Sequence, residues 1–202
     1  MGSVDVKKKY KEHYDASSKK IMIANVQEVG YIMIRGIGNP NVSEFVLKSD
    51  ALFMIVKEVR EILKEEGITY TTPPLEGIWD TYDNAHFDVT RKQMIPFTLM
   101  MALVEEVNES IIDICKSHLL HKTDNPYIMD VYYKKFKEGR CVQMLHRGAY
   151  HTEINTTKQI MEYITVENMK LVGMHHEIYL NNPKKVAEED LKTIVRYAIE
   201  DA

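Results

Sequence analysis

Residues 137–148, Lys137-Glu-Gly139-Arg-Cys-Val-Gln-Met-Leu-His146-Arg-Gly148, repeat in outline an earlier stretch, Glu28-Val-Gly30-Tyr-Ile-Met-Ile-Arg-Gly36. Each is a short glycine-containing turn, an apolar run of strand length, and a second glycine that stops it. The chain beyond each copy is matched as well. After the first, Leu52, Phe53, Val56, Val59 and Leu63 recur at helical spacing up to Gly67, and Ile68–Thr72 and Leu75–Trp79 read as strands. After the second, Thr156 or Thr157 can cap a helix with Ile160, Met161 and Ile164 inward, with strands near Leu171–Gly173 and His176–Leu180 beyond it. The order in each half is hairpin, helix, strand pair, with Val131–Lys137 and Arg140–Leu145 as the arms of the second hairpin about Glu138-Gly139.

Two β-α-β units of roughly sixty residues cannot each bury much apolar area, so they are expected to pack together around a pseudo-twofold. The seam between them is then the natural cleft. The reading is an α/β (α+β) chain: a basic N-terminal segment over residues 1–20, a first module over 21–80, an inserted strand and helix over 81–130, and a second module over 131–199. Within the insertion, Arg91–Met101 reads as a strand, and Val104, Val107, Ile111, Cys115 and Leu119 mark an amphipathic helix to about His121. Ala187–Lys192 suggests a short helix and Thr193–Ile199 a final strand.

Composition narrows the function classes. The 202 residues are 45% hydrophobic and 28% charged, ordinary for a globular protein. The longest nearly uncharged run, Met94–Val104, is broken by Pro96 and falls short of the roughly 20 residues a membrane helix needs. No membrane partner is expected, and the absence of an apolar signal region predicts a cytoplasmic protein. A net charge of −4 argues against direct nucleic-acid binding. Lys7-Lys8-Lys9 and Lys19-Lys20 read as a solvated helix face. Cys115 and Cys141 fit no metal spacing and read as buried reduced thiols.

The chemistry gathers at His175-His176-Glu177-Ile-Tyr179-Leu180. Strand alternation puts His175, Glu177 and Tyr179 on one face and His176, Ile178 and Leu180 on the other. A carboxylate held among aromatics loses hydration and needs a partner, a proton or a cation. Glu177 could accept a phenolic hydrogen bond, bind a cation or act as a base; a surface pair with Lys184 or Lys185 is the plainer alternative. Adjacent histidines on a strand diverge, and the position four after His176 is Leu180, so no zincin-type metal motif is present. Nucleophile-elbow and phosphate-loop motifs are missing too, and no cofactor is expected. Trp79, at a strand end, can fill core or offer a stacking surface. The halves also pair Leu75-Glu76-Gly-Ile-Trp79 with His176-Glu177-Ile-Tyr-Leu180, which places Glu76 and Trp79 opposite Glu177 across the seam.

The strings His146-Arg-Gly-Ala-Tyr150, His176-Glu177-Ile-Tyr-Leu180-Asn-Asn-Pro183 and Leu191-Lys-Thr193-Ile-Val-Arg196, in that order, resemble the GyrI-like small-molecule-binding family, the effector-binding domain of multidrug-sensing transcription activators. Gly36-Ile-Gly-Asn-Pro40 and Pro74-Leu-Glu-Gly-Ile-Trp79-Asp80 look like the longer standalone members. The resemblance implies two β-α-β-β modules of antiparallel strands related by a pseudo-twofold, helices on one side, and a ligand cleft between them. It implies that Glu177 lies in the pocket, where relatives meet flat lipophilic cations, and that some standalone members hydrolyse cyclopropane-bearing DNA-alkylating compounds. Carried over to this chain, Glu177 and Glu153 are the acid/base pair, with Trp79, Tyr150, Tyr179, His146 and Glu76 as ligand-binding residues. Two other functions stay open: a sensing or sequestering domain acting with a transcriptional partner, and an interaction module of the gyrase-modulating type. A homodimer through a sheet edge or the central helix is the assembly to test.

Overall fold

The computed structural model describes residues 3–38, 43–80 and 95–202. Among these residues, eight antiparallel strands form the main sheet: β2 (Met22–Val26), β3 (Val29–Ile37), β5 (Leu75–Trp79), β6 (Pro96–Ala102), β7 (Tyr132–Phe136), β8 (Gly139–Arg147), β10 (His175–Tyr179) and β11 (Lys192–Asp201). Their order is β2-β8-β11-β10-β5-β6-β3-β7. A short β9 (Met169–Leu171) pairs with the end of β11, and β1 (Ser3–Val4) pairs with β4 (Thr69–Tyr70) apart from the main sheet.

The order is palindromic. β8, β11 and β10 mirror β3, β6 and β5, and the halves meet where β10 pairs with β5, Glu177 opposite Gly77. The strand expected in an insertion is therefore β6, which lies inside the first half between β5 and β3.

Neither expected hairpin forms. β2 and β3 are two residues apart in the chain, yet β2 pairs with β8 and β3 pairs with β6 and β7. β7 and β8 are likewise separated across the sheet. Each half lends one outer strand to the other. Because three residue steps span at most about 11 Å, these short links also draw the two ends of the sheet together and force it to curl. Gly139, at φ +79°, makes its link feasible.

The long helices cover one face. α3 (Ser43–Glu65) buries Phe45, Leu52, Ile55, Val56, Val59 and Leu63, while Phe53, expected inward, is 41% exposed. α5 (Ile154–Val166) packs Ile160 and Ile164 on Val142, Met144, Val195 and Tyr197. Thr156 and Thr157 lie inside this helix, buried, so they do not cap it; Glu153 stands at the N-cap. α4 (Glu109–Leu119), capped by Asn108, leans on α3, where Glu58 meets Lys122 and His118. The expected helix near residue 187 is a single 3-10 turn, Glu188–Asp190.

The N-terminal segment enters the inner face of the curl. α1 (Val6–Lys9) and α2 (Lys11–Tyr14) expose their lysines but bury Val6, His13 and Tyr14. Tyr14 donates to Glu76 at 2.7 Å, Gln143 donates to the Glu12 and Asp15 carbonyls, and Arg196 donates to the His13 carbonyl. A solvated face describes only the lysine side. Cys115 and Cys141 are buried free thiols, and burial pushes the Cys115 thiol up to about 12. Among the described residues no helix is long and apolar enough to cross a membrane.

Candidate functional site

Alternation on β10 sends His175, Glu177 and Tyr179 to the helix side, toward the start of α5. There Glu153, 0% exposed, stands at the positive end of that helix's dipole. The His175 Nε2 lies 2.9 Å from Glu177 Oε1 and 3.1 Å from Glu153 Oε1, while its Nδ1 meets the Tyr197 hydroxyl. Tyr179 donates to Glu177 Oε2 at 2.6 Å, and the Tyr150 ring stands edge-on to Tyr179, centroids 5.9 Å apart. Two carboxylates thus converge on one imidazole nitrogen, with partly exposed tyrosines beside them.

The electrostatics derive from burial. Desolvation alone would lower His175, but hydrogen bonds to Glu153 and Glu177 outweigh it and raise its pKa. Burial, then the charge of Glu177, holds the Tyr179 hydroxyl far above the usual phenol range, so it remains a donor at neutral pH. Tyr150 is pushed up to about 12 by burial, then by Glu177 and Glu153.

Glu153, His175 and Glu177 each offer a ligand atom, all within 4.8 Å of one another. This trio differs from the contiguous His175-His176-Glu177 triplet. Nε2 lies at hydrogen-bond distance from both carboxylates, where a proton would serve both; a metal would need that nitrogen as a lone pair.

The remaining predicted residues go elsewhere. Glu76 is not in this site: β10 places Gly77 opposite Glu177 and Glu76 opposite Ile178, so Glu76 points to the inner face. It accepts from Tyr14 there and lies 3.1 Å from His176 Nε2, whose other nitrogen meets Glu138. Trp79 is fully buried, its indole stacked on Phe45 at 9° and 6.0 Å and touching Phe97, so its faces are taken by core aromatics. Only its edge reaches the site: above Gly77, its Nε1 and the Tyr179 hydroxyl converge. His146 bonds Thr156, Thr152 and the Ala149 carbonyl, which fixes the corner that presents Tyr150 and Glu153. Sequence reasoning assigned no role to His175, although alternation put it on the right face, and none to Tyr197.

A family model for the GyrI-like small molecule binding domain matches residues 19–199. The chain belongs to that family. Among solved structures, an uncharacterized conserved protein from Listeria innocua is 26% identical, with TM-score 0.90 over 98% of this chain and 100% of the other. A hydrolase from Listeria innocua is 25% identical, with TM-score 0.85 over 98% and 100%. The C-terminal domain of EcmrR shares the fold at 15% identity and TM-score 0.58, over 91% and 98%. No curated protein matches. This GyrI-like domain thus sets two buried carboxylates on its helix-bearing face, where the two halves join.

Proposed function

We propose that this GyrI-like protein hydrolyses flat, electrophilic small molecules of the cyclopropanoid, DNA-alkylating type, with Glu177 and Glu153 as its acid/base pair. The observation that carries the reading is the meeting of these two buried carboxylates at a single nitrogen of His175. A site built only to hold a cation needs one such charge; a site that both takes and gives a proton needs two groups. The similarity to Listeria hydrolases supports the same direction.

The chemistry asks for little. A cyclopropane fused to a dienone releases strain and aromatises on opening, so the protein has to place water at the exposed carbon and stabilise the oxyanion. Glu177 takes a proton as water's oxygen bonds that carbon. The ring bond breaks, its electrons move to the carbonyl oxygen, and that oxygen receives a proton from Glu153. Tyr179 holds Glu177 in place, and Tyr150 lines the approach. Each proton transfer contributes about 10²–10⁴-fold.

Incubation with a cyclopropane-fused dienone, followed by mass analysis, should yield the water adduct, and Glu177→Gln should abolish it. Bound but unaltered compound would make the protein a sensing or sequestering domain instead.

A further inference from the structure

The corner that carries Tyr150 and Glu153 is held from both sides by one imidazole. His146, buried near the end of β8, shares a strand face with Val142 and Met144, which pack on α5. Gly148, at φ +112°, lets the chain turn back after β8. Upstream of Glu153, the His146 Nε2 lies 3.1 Å from the Ala149 carbonyl oxygen and 3.1 Å from Thr152 Oγ1. Downstream of it, Nδ1 lies 2.9 Å from Thr156 Oγ1, in the first turn of α5. Main-chain bonds close the span between. The Glu153 amide donates to the Tyr150 carbonyl, and the Thr156 and Thr157 amides donate to the Glu153 carbonyl.

These contacts select one tautomer. A carbonyl oxygen only accepts, so Nε2 carries a proton toward Ala149, and the Thr152 hydroxyl donates to the same oxygen at 2.8 Å. In the neutral ring Nδ1 is then a lone pair, which accepts from the buried Thr156 hydroxyl. The opposite tautomer would set the Nε2 lone pair against the Ala149 oxygen.

We propose that His146 is a positioning residue: through Nε2 it pins the turn before Glu153, through Nδ1 the helix after it, and so it places Tyr150 and Glu153 relative to Glu177. This rests on the hydrolytic reading, in which Glu153 and Glu177 serve two ends of one substrate. The effect runs through the main chain, and it holds whatever the Glu153 carboxylate touches. A displacement of about 1 Å at such a group costs on the order of 100-fold in rate.

Two measurements test it. In ¹⁵N NMR of histidine-labelled wild-type protein at pH 8.5, His146 should be protonated at Nε2 alone; a proton on Nδ1 overturns the proposal. With a cyclopropane-fused dienone as probe, His146→Ala should lower kcat about 100-fold. His146→Gln, whose amide nitrogen reaches the place of Nε2 and keeps the bond to Ala149, should recover about tenfold of that loss. Thr156→Val removes the hydroxyl on the other side and should lower kcat about tenfold, with no further loss when combined with His146→Gln. Should the alanine variant fail to fold, the glutamine and Thr156 variants decide: both should be impaired, and their losses should not add. An active wild type with unchanged kcat in these variants, or additive losses, overturns the positioning role alone. A wild type that binds the probe without converting it overturns the hydrolytic reading and this role together.

Discussion

His175 and His176 are neighbours in the chain and back to back in the fold, each beside two buried glutamates. His175 faces Glu153 and Glu177 on the helix side; His176 faces Glu76 and Glu138 on the inner side. The alternation of a strand suffices to separate them. Arg196 extends the inner cluster, bonding Glu138, Gln143 and the His13 carbonyl while fully buried. The inner cluster fastens the N-terminal segment, the outer one faces the start of α5, and β10 belongs to both.

The inner cluster sets the pH range of stability. Burial disfavours charge on His176, but Glu138 and then Glu76 prevail and raise it to about 9 from an ordinary 6.5. Burial likewise works against Glu138 ionising, yet His176 and Arg196 bring it down to about 2 from 4.5. A raised histidine contributes fully below its unfolded pKa and less as pH climbs through its folded value; a lowered carboxyl contributes fully above its unfolded pKa and less in acid. Urea midpoints should be highest between about pH 4.5 and 6.5 and fall on both sides. His176→Gln should flatten much of the alkaline decline, the remainder belonging to His175. An alkaline limb of wild-type size in that variant would refute the assignment.

Arg196 can be probed through the segment it holds. Removing one member of a buried ion pair strands the other, at a cost of about 3–5 kcal/mol. Arg196→Met should lower stability by that amount and speed hydrogen exchange at residues 11–15 more than in α3. A uniform change across the molecule would mean that Arg196 does not anchor the segment.

Gly77 lies opposite Glu177 at the floor of the site. A Cβ there would stand 3.3 Å from both the Trp79 Nε1 and the Tyr179 hydroxyl. Alanine is worth about 0.5–1 kcal/mol over glycine in a strand, which offsets part of the crowding. Gly77→Ala should therefore melt close to wild type and yet lose at least about tenfold in ligand affinity or turnover, because the added methyl crowds the Tyr179 hydroxyl that holds Glu177. Calorimetry beside a binding titration separates the two effects; equal affinity would show that the floor tolerates a methyl group.

Much of the candidate site's geometry was legible in the sequence, and the parts that were not share a cause. His175, Glu177 and Tyr179 fell on one face because period-two alternation is local. Glu76 was misplaced because the repeat aligned it with Glu177, one position away from the residue that pairs with Glu177 in the sheet; a one-residue slip exchanges faces. The hairpins failed for a related reason. Val26–Val29 and Phe136–Gly139 have the short links of hairpins, and nothing local distinguishes a strand that folds back from one lent across the molecule. Glu138 and Arg196 reach His176 only through that exchange, so their cluster had no signature in the sequence.

Tyr179 separates the chemical role of the site from its shape. Its hydroxyl donates to Glu177 at 2.6 Å, while its ring packs against the edge of Tyr150. Hydrogen bonds to charged groups contribute about 1.5–3 kcal/mol, and this one fixes Glu177 Oε2, so it bears directly on the proposed hydrolysis. Tyr179→Phe keeps the wall and loses the donor, so kcat for a cyclopropane-fused dienone should drop about 10–100-fold with KM nearly unchanged. Tyr179→Leu loses both, so KM should rise as well. If Phe raised KM and spared kcat, Tyr179 would serve only as a wall.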